Sequence, residues 1–452
     1  MRMGRRIGLI GLIGLIGLIS LIGPIHAQEQ DSVKVKKNRF TIDVDVLVQG
    51  EIREGGISPQ ARAAAEETGT PPKDRAMFVL GRTRLILGYE REWFSTRVNV
   101  QHLGIWGQEN RGTFNLYEGW AKLQSKHGLF LQFGRQVFSY DDERIIGPND
   151  WSMDGFSHDA LRFGYEGYGH KVHGIACYNQ NADNPDKGIT FFQNGSVPYK
   201  TMQTLWYHYD APFPLSASLL FMNVGMQAGE LGNNEHIAWQ QLFGTYIKYK
   251  PGFWTLEGSF YQQLGHEEND MPLNAFMFSV KSSCDPIQYI SAYAGYEYLS
   301  GDPYFNIPPH GGVGLIRHEV CRGFNPVYGS HHQFYGAMDF FYVSTFVNGF
   351  TPGLQNAYAG VVGHPIQGLD LSLAYHYMAM AAHLKDIKPT LGHEVDFEAS
   401  YQIIKEVSVS LGFTYMGGTE TMTILKRASD EGRLYWGWLS IRATPKCLDL
   451  KF

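Results

Sequence analysis

Net charge, cysteine pairs and long apolar runs are all scarce in this chain. Across 452 residues the formal net charge is only −6. A balance so near neutral points to neither nucleic acid nor an anionic membrane surface as partner. Cys177, Cys284, Cys321 and Cys447 stand far apart, with neither close pairing nor metal-ligand spacing. A disulfide stays open, because spacing alone pairs none of them. Beyond residue 23 no segment offers the roughly 20 apolar residues of a spanning helix. P-loop, dinucleotide and zinc motifs are absent, so no cofactor is expected. His331, His332 and His376 have no serine or acid at a telling spacing, and no enzyme is expected. The His331-His332 pair and residues 300–302 are the nearest approach to a loop cation site, and metal stays unassigned.

Aromatic residues, by contrast, make up 14% of the chain, with 26 Tyr and 28 Phe, and glycine occurs 52 times. Rich aromatics without a spanning helix favour alternating strands. Residues 1–27 carry Arg2, Arg5 and Arg6, an apolar run from Ile7 to Gly23 and a cut after Ala27, the three-part layout of a secretory signal peptide. A short periplasmic segment, 28–38, and one barrel domain, 39–452, are expected to follow.

From Phe40 the chain has period two. Phe40, Ile42, Val44, Val46 and Val48 share one face, and Asp43, Asp45, Gln49 and Glu51 the other. In a transmembrane barrel the apolar face meets lipid and the carboxylates a wet lumen. The same alternation sets Arg82 and Arg84 against Leu85 and Leu87, Arg97 against Val98, Lys122 against Leu123, and Arg162 against Phe163. At Gly134 the phase is expected to slip through a bulge that turns Arg135 inward. Late in the chain Asp370 opposes Leu371, and Glu394, Asp396 and Glu398 oppose Val395 and Phe397.

Strand candidates number about nineteen, joined alternately by short turns and long polar loops, and a closed antiparallel barrel needs an even count. Residues 331–342 are therefore placed in a long extracellular excursion, about 302–353, that folds over the mouth or into the lumen. What remains is an all-β, up-and-down antiparallel barrel of about 18 strands. Pro445 and Cys447 interrupt the last strand, so closure is expected from residues 434–445.

One stretch identifies a family. Residues 134–162 hold a Gly-Arg-Gln triplet, an acidic pair before Arg144, Gly147, the Asp150-Trp151 pair, and Asp159 followed by Arg162. This resembles the signature of the alginate-export family of bacterial outer-membrane barrels. Residues 296–302, 324–339 and 392–403 resemble its later blocks. The resemblance implies an outer-membrane protein, monomeric, that passes anionic polysaccharide through an arginine-rich lumen, with Arg135, Arg144 and Arg162 on the motif positions and Asp150 and Asp159 as acidic companions. A polymer exporter would also require a periplasmic partner.

Arginine suits such a path, because its fixed charge and planar fork bind carboxylates in several poses. Lumen arginines equally serve to hold walls and loops, and both readings stand at this point. The inward bases Arg82, Arg84, Arg97, Lys122 and Arg162 fall on the early strands. The inward acids Asp43, Asp45, Asp370, Glu394, Asp396 and Glu398 fall on the first and late strands, which closure makes neighbours. A transverse field across the lumen is expected. The expectation is a channel that passively conducts an anionic or polar saccharide; because acids match bases, another polysaccharide or small polar solutes stay open beside a polyuronate. A general diffusion porin and a plugged surface barrel are the alternatives.

Overall fold

The computed structural model describes residues 38–54, 75–107, 112–180, 199–230, 233–303, 319–326, 328–339, 341, 352–384, 387–422 and 433–452. The expected signal peptide and all but one residue of the segment 28–38 lie outside them. The early strands are β1 (Arg39–Glu54), β2 (Arg75–Arg91), β3 (Phe94–Ile105), β4 (Thr113–Gln124), β5 (Leu129–Gln136), β6 (His158–Gly167) and β7 (His170–Tyr178). The middle strands are β8 (Thr201–Asp210), β9 (Leu215–Glu230), β10 (Asn233–Tyr249), β11 (Trp254–His266), β12 (Pro272–Ile287) and β13 (Ile290–Leu299). The set ends with β14 (Leu354–Ile366), β15 (Leu369–Ala379), β16 (Thr390–Ile404), β17 (Val407–Gly418), β18 (Arg433–Ala443) and β19 (Lys446–Lys451).

From β1 to β18 each strand pairs antiparallel with the next in sequence, and β18 and β19 together close the ring against β1. The last two segments act as one stave. β18 pairs with β1 from Val46↔Ala443 to Glu54↔Tyr435, and β19 takes up the same edge from Asp43↔Lys446 to Arg39↔Lys451. Pro445 has no N–H to give to the ladder, and its carbonyl accepts from the Val44 N–H at 3.2 Å. The architecture is thus a closed antiparallel 18-strand barrel with one extra strand. Closure extends past 434–445 to the end of β19. Among the described residues of 331–341 there is no strand, only a short 3-10 turn at His331–Gln333.

Alternation decides which side of the wall each residue faces. In β1, Asp45, Leu47, Gln49 and Glu51 are buried while the residues between them are not. Leu373, Phe397, Leu411, Phe413, Leu439 and Ile441 form an exposed apolar belt on the outside. Trp93, Phe213, Phe253, Trp254 and Tyr289 are exposed at the short turns, as in an interfacial aromatic girdle. No helix among the described residues is long and apolar enough to cross a membrane; the crossing elements are strands, each paired along both edges.

The expected slip at Gly134 does not occur. Gly134 takes φ +112°, yet the pairing of β5 with β4 and with β6 runs through it without a shift in register. Arg135 therefore keeps the outward phase of Phe133. It pairs there with Asp159, its cross-strand partner, at 2.6 Å and 2.9 Å, and donates to the Leu116 carbonyl. Arg135 and Asp159 belong to the outer rim near the long-loop end, not to the lumen.

Depth-dependent cost follows from this geometry. Leu411→Arg, at mid-belt, is expected to destabilise the barrel by ~2–4 kcal/mol, and Leu450→Arg, at the short-turn edge, by only ~0–1 kcal/mol. Reversible guanidinium unfolding in lipid vesicles measures both, and equal costs would contradict the assigned belt.

Candidate functional site

Two long-loop segments enter the lumen and hold each other. The first, 137–157, joins β5 to β6; the second, 319–341, belongs to the excursion between β13 and β14. The Gly147 N–H donates to Tyr328 O at 2.8 Å, Tyr328 N–H to Ile145 O at 3.2 Å, and Ser330 N–H to Glu143 O at 2.9 Å. Ile146 and Tyr328 form a parallel bridge. Such close approach needs glycine: a Cβ on Gly329 would collide with the Arg144 carbonyl, and one on Gly147 with the Ser330 hydroxyl. The Glu143 carboxylate accepts from Ser330 Oγ at 3.0 Å and Gln333 Nε2 at 3.1 Å. Trp151 stacks on His332 with centroids 3.9 Å apart and planes at 7°, with Trp436 and Trp438 edge-on to Trp151.

Both segments are also tied to the wall, at three places. At the first, Arg144 lies wholly inside. Its guanidinium meets Glu297 of β13 at 2.9 Å, Asp142 at 3.3 Å and Tyr335 Oη at 3.2 Å, above the Phe334 ring. Burial opposes its charge, but Glu297, Tyr335 and Asp142 outweigh that and raise its pKa well above the ordinary arginine value. At the second, on β16, Glu394 accepts from the Met338 N–H at 2.9 Å and Asp396 from the Ala337 N–H at 3.2 Å.

The third tie is a charge cluster at β1, β2 and β18. Asp150 receives Arg84 Nη1 at 2.5 Å, Arg82 Nη1 at 3.2 Å and Arg442 Nη2 at 3.5 Å. Asp45 receives Arg442 through two bonds, 2.9 Å and 2.8 Å, and Arg82 at 3.3 Å. Arg84 lies 3.9 Å above the Tyr117 ring and takes the Gln101 side-chain oxygen at 2.9 Å. Burial alone would raise the Asp150 pKa, but Arg82, Arg84 and Arg442 hold its carboxyl below the usual range.

The expected site residues thus separate into groups. Arg82, Arg84, Asp45 and Asp150 come together in one cluster. Arg144 pins a segment, and Glu394 is sealed beneath the other. Arg97, paired with Glu118 at 3.0 Å, stays 41% exposed. Lys122 lies over the Phe130 ring, and Arg162 donates to Gln132 at 2.7 Å; both are half-buried on the inward face. Asp43 and Asp396 are half-buried, and Asp370, beside His364, and Glu398 are exposed. Arg135 and Asp159 lie on the outer wall.

Arg442 and Glu297 join the site although the sequence does not single them out for it. Both were legible as inward by alternation, Arg442 through Trp436 and Trp438 and Glu297 between Tyr296 and Tyr298. Their partners lie on the inward segments, far away in sequence, and no spacing reports that.

A closed barrel with an apolar belt, a charged lumen and inward-folded loops is an outer-membrane β-barrel. No family model and no curated protein sequence matches this chain. Solved structures do. Pseudomonas aeruginosa OpdQ is similar at 12% identity and TM-score 0.57, over 91% of this chain and 98% of its own. P. aeruginosa OccK2 (OpdF) is similar at 12% identity and TM-score 0.59, over 90% and 98%. A second OccK2 structure, in complex with glucuronate, is similar at TM-score 0.56, 12% identity and the same coverage. These are outer-membrane porins. At such identity the likeness is one of fold, and it gives the alginate-export family in particular no support.

Glu297→Gln leaves Arg144 buried with its main counter-charge gone. The expected loss is ~3–5 kcal/mol in the anchoring of the two segments. Limited proteolysis of the folded barrel reads it as faster cleavage within 137–157 and 319–341. Unchanged protection would mean that the pair is not the anchor.

Proposed function

We propose that this chain is a passive outer-membrane channel for small polar and anionic solutes, acidic monosaccharides among them. The observation that carries the reading is the inward face of a closed barrel with charges still open to the lumen. Arg97, Lys122 and Arg162 lie on one arc, and Asp43, Asp370 and Glu398 on another. Opposed arcs make a transverse field that orients dipolar solutes and passes anions along the basic side.

Two observations favour small solutes over a polymer. The paired segments 137–157 and 319–341 narrow the lumen, whereas a polyuronate needs a continuous run of free guanidiniums. Arg82, Arg84 and Arg144 are instead engaged with carboxylates. The glucuronate held by one OccK2 structure belongs to that protein; here it supports an acidic monosaccharide as the first probe. The motif resemblance keeps alginate export as the second reading. Secretion through residues 1–27, a single barrel domain from 39 and a monomeric state complete the proposal, and no periplasmic partner is needed for passive flux.

Planar-bilayer recording of the mature chain tests this. The expected result is ohmic conductance with anions preferred. Replacing Arg97, Lys122 and Arg162 together by Gln should lower the anion-to-cation permeability ratio by ~3-fold or more, since fixed charges set local ion concentration. A silent membrane rejects the channel, and an unchanged ratio rejects the basic arc as its selector. Passage of long alginate chains as readily as glucuronate would favour export.

A further inference from the structure

We infer that the Asp150 carboxylate is a tethered occupant of an anion site built by Arg82, Arg84 and Arg442, and that a carboxylate-bearing solute takes this site by displacing it. The inference deepens the channel reading and rests on it, naming where the acid group of the solute is held and what that does to the loop.

Three guanidiniums from two strands converge on this carboxylate, and only one of them makes a short contact. Arg84 reaches it at 2.5 Å, while the Arg82 contacts run from 3.2 to 3.4 Å and that of Arg442 is 3.5 Å. Charge-assisted bonds of this type close to about 2.7–2.9 Å when geometry allows. Asp150 is held back by its own chain, which is fixed a few residues away by the Gln101 bond to the Asp154 carbonyl at 3.0 Å. A free carboxylate carries no such restraint.

Donor capacity is also left over. Arg82 Nε and Arg84 Nη2 are buried without a hydrogen-bond partner, on side chains only 0% and 5% exposed. Buried unpaired donors are costly and rare. The second acid of the cluster, Asp45, is fixed on β1 and already engaged by Arg442 and Arg82. With Asp150 in place three cations face two anions; when it leaves, three face one.

Access lies on the side a solute would use. Asp150 is 33% and Arg442 41% exposed, whereas Arg82 and Arg84 sit behind them. The first segment need not unseat as a whole, because Arg144 holds it to Glu297 on another part of the wall. Displacement therefore releases the Asp150 carboxylate alone, while the stacking of Trp151 on His332 and the pairing of Ile146 with Tyr328 persist.

Calorimetric titration of the full-length folded barrel in detergent, with glucuronate as probe and glucose as its neutral counterpart, tests the site without requiring transport. Asp150→Asn is expected to tighten glucuronate binding about 10-fold, a gain of ~1.4 kcal/mol, and to tighten glucose far less. Adding Arg442→Gln in that background should cancel the gain. Equal or weaker glucuronate binding by Asp150→Asn, or an equal gain for glucose, would overturn the inference. Heat-modifiable gel mobility verifies folding. Should Asp150→Asn not fold, Arg442→Gln alone decides: loss of glucuronate binding by ~5-fold or more is expected on the arithmetic of one lost charge-assisted contact, and full retention rejects the site. An affinity gain in a barrel silent in bilayers rejects the channel reading and keeps this one; conductance without the gain does the reverse.

Discussion

Closure of the sheet on β1 is the constraint on which everything else rests. A barrel wall in lipid tolerates no free strand edge, because an unpaired N–H or carbonyl there finds no water. β1 meets this demand with two segments on one side, β18 along its upper half and β19 along its lower half. Proline at 445 would break a single long strand. Splitting the stave there lets the ladder restart at Lys446 and carries pairing down to Arg39, whose guanidinium also grips Asp449 at 2.8 Å. Once the ring is closed, period two fixes the inside along each strand between its bulges, such as the one at Tyr117 of β4, and the lumen charges take their places.

That dependence explains how much could be read from the sequence. Period two arises because one face meets lipid and the other water, so Asp45 against Val46, or Glu394 against Val395, reports the wall directly. Strand limits and inward phase were legible for the same reason. Arg135 is the exception, because a glycine before it has the look of a shift in phase. Gly134 uses its conformational freedom within the register instead, and a guanidinium on the outer face is made tolerable by Asp159 directly opposite and by a position close to the outer edge of the belt. An arginine with a cross-strand carboxylate satisfies itself locally and carries no signal of facing inward.

Partners across the lumen were illegible for a different reason. Alternation tells which side a residue faces and nothing of what comes to meet it. Arg82 and Arg84 read as pore lining, yet a loop carboxylate some seventy residues on arrives to neutralise them. The Asp150-Trp151 pair, singled out as a family mark, makes physical sense as a unit: the acid seeks the guanidiniums of β2 and β18, and the indole beside it lies flat on His332 of the second segment. One dipeptide thus joins two loops and two strands.

The alginate resemblance looks different in this light. A signature that resides in a loop anchor encodes how the lumen is partitioned, not what passes through it. Arg144 and Asp150 lie six residues apart in the middle of the inward segment and hold it to two separate parts of the wall, β13 and β1–β2–β18. A segment stretched between two ionic anchors has a fixed path only while both are engaged. The two anchors differ in kind. Glu297 and Arg144 are both sealed, so breaking that pair strands a buried charge. The Asp150 anchor stands partly in solvent, where competing ions reach it and its attraction is screened. The segment is therefore held permanently at Arg144 and releasably at Asp150, and the releasable anchor is the one that faces the solute path.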